Sequence, residues 1–323
     1  MRSLYRWCVG APALAAAFAV GCGGETSGAG ASGSGLGSSQ STDSTLFGTG
    51  GGGGGTSSGN LPTDWTAADL GAWALGDPIT GDGVTDTGLS GDDGCVALVG
   101  VVRDFKGADE PGGHPDFQAY SGDAETPGLV EATLGADGKP VYAAHCDAAD
   151  TGGCPYGQQL TDAAAFDQWY RYTQGVNMPY LIYFQFAQNG NVSTFASSAF
   201  FPLDGKGFGN SGTGEDDLEH NFHFTTELHT QFQYNGGEVF SFTGDDDLWV
   251  FINGHLAIDL GGLHPATSGS VDLDQAAGAL GITVGSIYPL ELFHAERHTS
   301  ASNFHVDTNL AFVDCGSIPA DPN

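Results

Sequence analysis

Basic side chains are scarce: the 323-residue chain has 8 Lys and Arg against 39 Asp and Glu, a formal net charge of −31. A nucleic-acid-binding protein needs a cationic face to displace counterions from phosphates, so nucleic acid is excluded as a partner. The apolar run from Cys8 to Gly21 is shorter than the roughly 20 residues a spanning helix requires. Cys-x-x-Cys pairs and a Walker loop are missing, and the GxSxG and GxGxxG spellings that occur, such as Gly55 to Gly59 and Gly48 to Gly53, fall in a Gly/Ser tract without the strand-to-helix context those sites need, which leaves no motif for phosphate, hydride or serine-hydrolase chemistry. Gly50 to Gly55 is a homopolymer without the strand-to-helix context of a phosphate loop. Core-forming residues are plentiful, with 40% hydrophobic and 11% aromatic, so the 53 glycines must be concentrated somewhere, and that place divides the chain.

The N-terminus supplies that concentration. Arg2 and Arg6 precede the short apolar run, the pattern of a secretory signal peptide over residues 1–21. Its end, Ala19-Val20-Gly21-Cys22, resembles a bacterial lipobox, which implies lipidation of Cys22; the alternative is cleavage near Gly21 that leaves Cys22 an odd thiol. From Gly23 to Asn60, 29 of 38 residues are Gly, Ser or Thr, too little apolar surface to offset the entropy of ordering. Residues 22–60 are therefore expected to be a disordered tether with a coil span of roughly 31 to 37 Å. An exported protein held by lipid at the cell surface follows. Gly23 in place of an aspartate favours the outer membrane.

Residues 61–94 form an Asp-rich loop region with seven aspartates, expected to be solvated because its clusters lack the spacing of an EF-hand. The folded domain spans 95–316, and 317–323 is a disordered tail. Four cysteines remain in that domain, an even number that suits disulfides in an exported chain. Of three connectivities, the favoured one joins Cys146 to Cys154 across a short Gly/Asp-rich loop. Cys95 then joins Cys315, clasping the ends of the fold.

Strand periodicity dominates from Cys95 onward. Phe222, Phe224, Thr226, Leu228, Thr230, Phe232 and Tyr234 alternate with polar residues, which predicts one buried and one wet face. His220, His223 and His229 fall on the wet face. Runs 248–252 and 255–260 flank Asn253-Gly254, a hairpin signal because both central residues of a type I′ turn need positive φ. Runs 239–243, 287–293 and 304–312 read as further strands, and only Thr161 to Tyr172 looks helical. The expected fold class is all-β: an antiparallel sandwich or barrel with one short helix.

Asp245, Asp246 and Asp247 stand together immediately before a hydrophobic strand. Like charges crowded at a turn are unfavourable unless compensated, and calcium is a natural compensator outside cells; a solvated acidic turn is the alternative. The segment from Gly244 to His264, GDDDLWVFINGHLAIDLGGLH, resembles the core motif of the fibro-slime domain family. That family belongs with the lectin-like domains first recognised in anthrax protective antigen. Val102-Arg103-Asp104-Phe105, His114-Pro115-Asp116-Phe117, Phe166-Asp167-Gln168-Trp169-Tyr170, Phe200-Phe201-Pro202-Leu203-Asp204, His220 to Thr225, and Phe293 to Thr299 with Ser302-Asn303-Phe304 match in order. The resemblance covers roughly residues 96 to 315 and implies a protective-antigen-like lectin fold.

The same resemblance implies that two aspartates joined by a cis peptide, Asp245 and Asp246, bind Ca²⁺ with Asn303 as a loop ligand. The ion would then engage vicinal hydroxyls of an extracellular glycan or matrix polysaccharide. Asp247 stands where many relatives have glycine, so the pair could instead be Asp246 and Asp247. Trp249 and Tyr288 are aromatics that could stack on sugar rings, although alternation favours core packing. His294, Glu296 and His298 share one strand face and invite a zinc reading, against which stands simple ion-paired structure with Arg297. The leading expectation is a non-enzymatic, Ca²⁺-dependent carbohydrate-binding lipoprotein of adhesion or matrix. A structural or protein-binding matrix component is the runner-up, and a metallohydrolase the third reading.

Overall fold

The computed structural model describes residues 73–78, 90–91, 94–95 and 97–317. The signal segment, Cys22, the tether, most of the Asp-rich region and residues 318–323 lie outside the described residues. In chain order the elements are β1 (Trp73–Pro78), β2 (Ser90–Gly91), β3 (Gly94–Cys95), β4 (Leu98–Asp104), α1 (Ala163–Asp167), β5 (Met178–Phe184), β6 (Ala187–Asn189) and β7 (Val192–Ser197). They continue with β8 (Gly212–Thr213), β9 (Glu219–His220), β10 (Phe224–Gln233), β11 (Val239–Gly244), β12 (Asp247–Ile252), β13 (His255–Leu260), β14 (Thr267–Asp272), α2 (Leu273–Leu280), β15 (Ile287–Glu296), β16 (Phe304–Thr308) and β17 (Ala311–Asp314).

All strand pairs are antiparallel. The larger sheet runs β1-β5-β4-β10-β15-β12-β13, with β17 also on β10, and the smaller runs β14-β11-β16-β7-β6. Alternation along β12 shows how the layers stack. Leu248, Val250 and Ile252 point into a core shared with the smaller sheet, where Phe195, Phe242, Phe304 and Val306 meet them. Trp249 and Phe251 point the other way, into a second core with Phe117, Phe166, Trp169 and Phe293. That second core belongs to a layer of largely irregular chain, residues 105–177, laid over the back of the larger sheet. Each large side chain buried there contributes on the order of 1.5–3 kcal/mol.

The second layer overturns the one-wet-face expectation. β10 is buried through Thr230, and His220, His223 and His229 are all buried. Thr225 Oγ1 donates to the carbonyl of Trp169 (2.6 Å), a direct tie between sheet and cover. Glu227, fully buried, accepts from Arg103 Nη1 (2.6 Å), from Lys139 Nζ and from His229 Nε2 (2.6 Å). Burial alone would raise its carboxyl, but Lys139 and Arg103 outweigh that and hold it well below the usual carboxylate range. Polar residues alternate along β10 because they face a charged seam, not water.

The Asn253-Gly254 hairpin forms as expected, with φ of 53° and 72°. Both disulfides have the expected partners, Cys146–Cys154 and Cys95–Cys315, the latter spanning 220 residues with its Cα atoms 5.2 Å apart. Three details differ from expectation. Helix α1 is regular only over five residues, capped by Asp162 Oδ1 on the Ala165 amide (2.9 Å). A second helix, α2, starts at an Asp272 cap and stops at Gly281 in the left-handed region. Strand β1, inside the supposed acidic loop, pairs with β5.

Two outcomes follow from this framework. Glu227→Gln leaves two buried cations short of a counter-charge and should lower unfolding free energy by about 3–5 kcal/mol, read by urea denaturation. Replacing Cys95 and Cys315 together by serine should cost about 2–5 kcal/mol in the same assay. Losses under about 0.5 kcal/mol would contradict either account.

Candidate functional site

Four strand ends meet at the acidic turn. Gly244 pairs with Phe304 at the start of β16, and Asp247 pairs with Ala295 near the end of β15. A Cβ on Gly244 would lie 2.5 Å from the Asn303 carbonyl oxygen, so the bare glycine lets the Asn303 loop press against the turn. Reciprocal bonds then fix both aspartates. The Asp245 amide donates to the Asn303 carbonyl (3.4 Å), while the Asn303 amide and Nδ2 donate to Asp245 Oδ2 (2.6 and 2.7 Å). The Asp246 amide donates to the His264 carbonyl (3.2 Å), and the His264 amide returns a bond to Asp246 Oδ1 (3.3 Å). Asp246 sits at φ 52°, a left-handed conformation that aspartate tolerates better than most residues.

Asp247 has a different task. Its Oδ2 accepts from Arg297 Nε (2.6 Å) and its Oδ1 from the Gly262 amide (2.6 Å), and both partners of the ion pair are fully buried. Arg297 also donates from Nη1 to the Gln159 carbonyl (2.9 Å), gives its backbone amide to Asp246 Oδ2 (2.9 Å) and lies over the Trp169 ring at 4.9 Å. Asp245 and Asp246 are thus the pair facing outward, while Asp247 is committed to an internal cation.

Above the pair opens a cleft of about 420 Å³, lined among others by Glu215, Asp245, Asp246, His264, Glu296 and Asn303. No lysine or arginine lines it. A second groove of about 310 Å³, with Ser197, Ser198, Thr243 and His305 in its wall, shares Ala266 and Asn303 with the cleft. Burial raises the Asp245 carboxyl, against the lowering effect of its Asn303 bonds. For Asp246, burial outweighs Arg297 and, with the charge of Asp247, pushes the carboxyl up to about 6. Glu296 is raised further still, first by burial and then by Asp246.

These residues pass a chemical test for a hard divalent cation. The outward donors are carboxylate and amide oxygens, and their shared charge is only partly met by protein cations. Asp245 uses the nitrogen of the Asn303 amide, which leaves its side-chain carbonyl oxygen for another partner.

Other anticipated sites are not assembled. Among the described residues, the single His/Cys/carboxylate trio within 4.8 Å is His145 with Cys146 and Cys154, whose sulfurs are joined to each other. His294, Glu296 and His298 therefore make no zinc trio; His294 is buried among the rings of Phe200, Phe224, Phe242 and Phe304. Trp249 is also corrected as a sugar contact. It is fully buried in the second core, with Nε1 donating to Asp259 Oδ1 (3.0 Å). Tyr288 lies near the opposite end of β15 from Glu296. Sequence reading considered Glu296 only as part of a zinc pattern and did not single out His264; the signal available was their place in the two motif segments flanking the cleft.

Comparison with known proteins gives matching results at the level of the domain. Residues 204–322 match the model of the PA14 domain. The chain is 37% identical over 227 residues to protein psiR and 43% identical over 210 residues to protein psiD, both from Dictyostelium discoideum. Those matches cover 65% and 62% of this chain but 22% and 39% of the relatives, so the chain spans well under half of either. Among solved structures, the PA14 sugar-binding domain from RTX adhesin is matched at 9% identity and a TM-score of 0.25, covering 69% of this chain and 99% of that one.

The loop that carries Glu215 holds a titratable clasp. His220 places Nδ1 2.6 Å from Asp204 and Nε2 3.1 Å from Asp216, while the Glu215 amide donates to the Ser300 carbonyl (3.1 Å). Burial alone would lower the imidazole pKa, but the two carboxylates outweigh it and raise it above 6.5. The clasp's stabilisation is therefore complete below pH 6.5 and fades as pH rises through the elevated value. Titration of the His220 ring by NMR should give a midpoint above 6.5 that falls in Asp216→Asn; identical midpoints would refute the clasp.

Proposed function

We propose that this is a calcium-dependent carbohydrate-binding domain of the fibro-slime type. It is carried on an exported protein, lipid-anchored through Cys22 at the cell surface or outer membrane, and acts in adhesion or an extracellular matrix. The observation that carries the reading is the outward-facing Asp245–Asp246 pair, locked to Asn303 and His264 at the floor of the cleft. Asp245, Asp246 and the Asn303 side-chain oxygen are the residues that would hold calcium. When bound, calcium supplies charge compensation and open positions for neighbouring hydroxyl groups. The protein's part is to orient: Arg297 and the His264 backbone hold Asp246, and the Asn303 backbone holds Asp245.

The match of residues 204–322 to the PA14 domain supports the same class of function. The groove of about 310 Å³ beside the cleft, walled by hydroxyl side chains and sharing Asn303, suits more than one sugar unit. A chain of sugars, as in a matrix polysaccharide, is therefore the substrate class.

Calorimetric titration of the exported chain with Ca²⁺ should give one site, abolished in Asp245→Ala/Asp246→Ala. At 100 times Kd the ion should add about 2.7 kcal/mol to stability. Wild-type protein that takes up no calcium at millimolar concentration would remove the metal reading. Calcium uptake with silence across a glycan array would favour a structural or protein-binding matrix role instead.

A further inference from the structure

The Cys146–Cys154 disulfide has a third side chain beside it. His145 brings Nε2 to 3.7 Å from the Cys154 sulfur, and a nitrogen of its ring lies within 4.8 Å of both sulfurs. Its Nδ1 faces Asp150 Oδ2 at 3.4 Å, which draws the ring hydrogen that way and leaves the Nε2 lone pair toward the sulfur. A disulfide sulfur has no hydrogen to give, so two electron-rich atoms face each other. Zinc fits that spacing. Bonds of about 2.3 Å to sulfur and about 2.0–2.1 Å to nitrogen, at a tetrahedral angle, put the two ligand atoms about 3.6 Å apart. The Cys146 sulfur has only to move to about 3.8 Å from that of Cys154 once the bond between them opens.

The placement of these groups does not depend on the disulfide. The Cys146 carbonyl accepts from the Gln159 and Leu160 amides (2.6 and 3.2 Å), and Asp147 Oδ1 holds the turn by accepting from the amides of Ala149 and Asp150 (2.7 Å each). On either side of His145, Ala144 and Cys146 stand at φ 52° and 53°, a left-handed conformation uncommon away from glycine and often kept at functional positions. An ion can reach the site: the side chains of His145 and Asp150 are 30% and 55% exposed, and Cys154 is half-buried. Cys95 and Cys315 have no such company, because among the described residues the His145 trio is the single one of its kind.

We propose that residues 145–154 form a redox-gated zinc site, closed as a disulfide and, when reduced, binding Zn²⁺ through Cys146, Cys154 and His145 with Asp150 behind the imidazole. A dithiol supplies the two electrons and two protons that turn the bond into two thiols, and is itself oxidised to a disulfide. Zinc displaces those two protons as it takes two thiolates and the neutral imidazole, and water completes the tetrahedron. Sulfur and nitrogen donors set this site apart from the acidic cleft, whose oxygens suit calcium.

The test reduces the full chain with dithiothreitol, removes the reagent without air, and titrates with Co²⁺ in excess Ca²⁺, which keeps the acidic cleft out of the reading. Near-ultraviolet circular dichroism verifies the fold of each sample. One equivalent of Co²⁺ should give thiolate-to-metal absorption and be displaced by one equivalent of Zn²⁺, whereas the oxidised chain should give neither. Cys154→Ser should remove the absorption. With both sulfurs kept, His145→Ala should weaken zinc by more than about ten-fold and Asp150→Asn by about ten-fold. A folded, reduced chain without thiolate–cobalt absorption overturns the proposal. So does absorption that survives Cys154→Ser, which would come from Cys95 and Cys315, or a zinc affinity that His145→Ala leaves unchanged.

Discussion

The buried pair of Arg297 and Asp247 is the interaction on which the site depends. Arg297 touches every part that must agree: the acidic turn through Asp246 and Asp247, the covering layer through Gln159, and the second core through Trp169. Taking both charges out of water is costly, so the pair is a weak source of net stability and a strong source of register. With Asp247 drawn inward, alternation along the strand and the left-handed step at Asp246 leave Asp245 and Asp246 facing the cleft. Three neighbouring acids thus divide into one that organises the interior and two that line the floor of the cleft.

That division could not be read from three identical letters. Much else could, because it is local. The Asn253-Gly254 turn declares its own backbone geometry, and alternation in 248–252 and 287–293 marks strands. Helix α2 was also legible in principle, since Asp272 and Gly281 are a cap and a stop eight helical residues apart, but Ala and Gly between them obscure any apolar stripe. The burial of both faces of β10 was not legible. His223, Glu227 and His229 look solvated until a distant irregular layer, supplying Lys139, closes over them. Trp249 illustrates the same limit in reverse: beside an acidic turn in sequence, it points through the sheet to the other side.

The two cores give the site its stiffness. The acidic turn opens β12, which sends alternate side chains into both cores, and the Asn303 loop opens β16, which packs in the first. A ligand-binding corner built from strand ends, with the larger sheet clamped on both faces, has little freedom to rearrange around an arriving molecule. Recognition at such a corner rests on donors and charges already in place, and reciprocal bonding of Asp245 with Asn303 and of Asp246 with His264 is that placement.

The Cys95–Cys315 bond has a mechanical consequence. It brings the two ends of the domain within 5.2 Å at the Cα atoms, with β3 and the chain after β17 side by side. A pull applied through the flanking segments is transmitted from sulfur to sulfur and bypasses the 220 residues between them. The strands between the two cysteines, which build the corner, are spared the load, while β1, ahead of Cys95 at the edge of the larger sheet, is the strand that takes it.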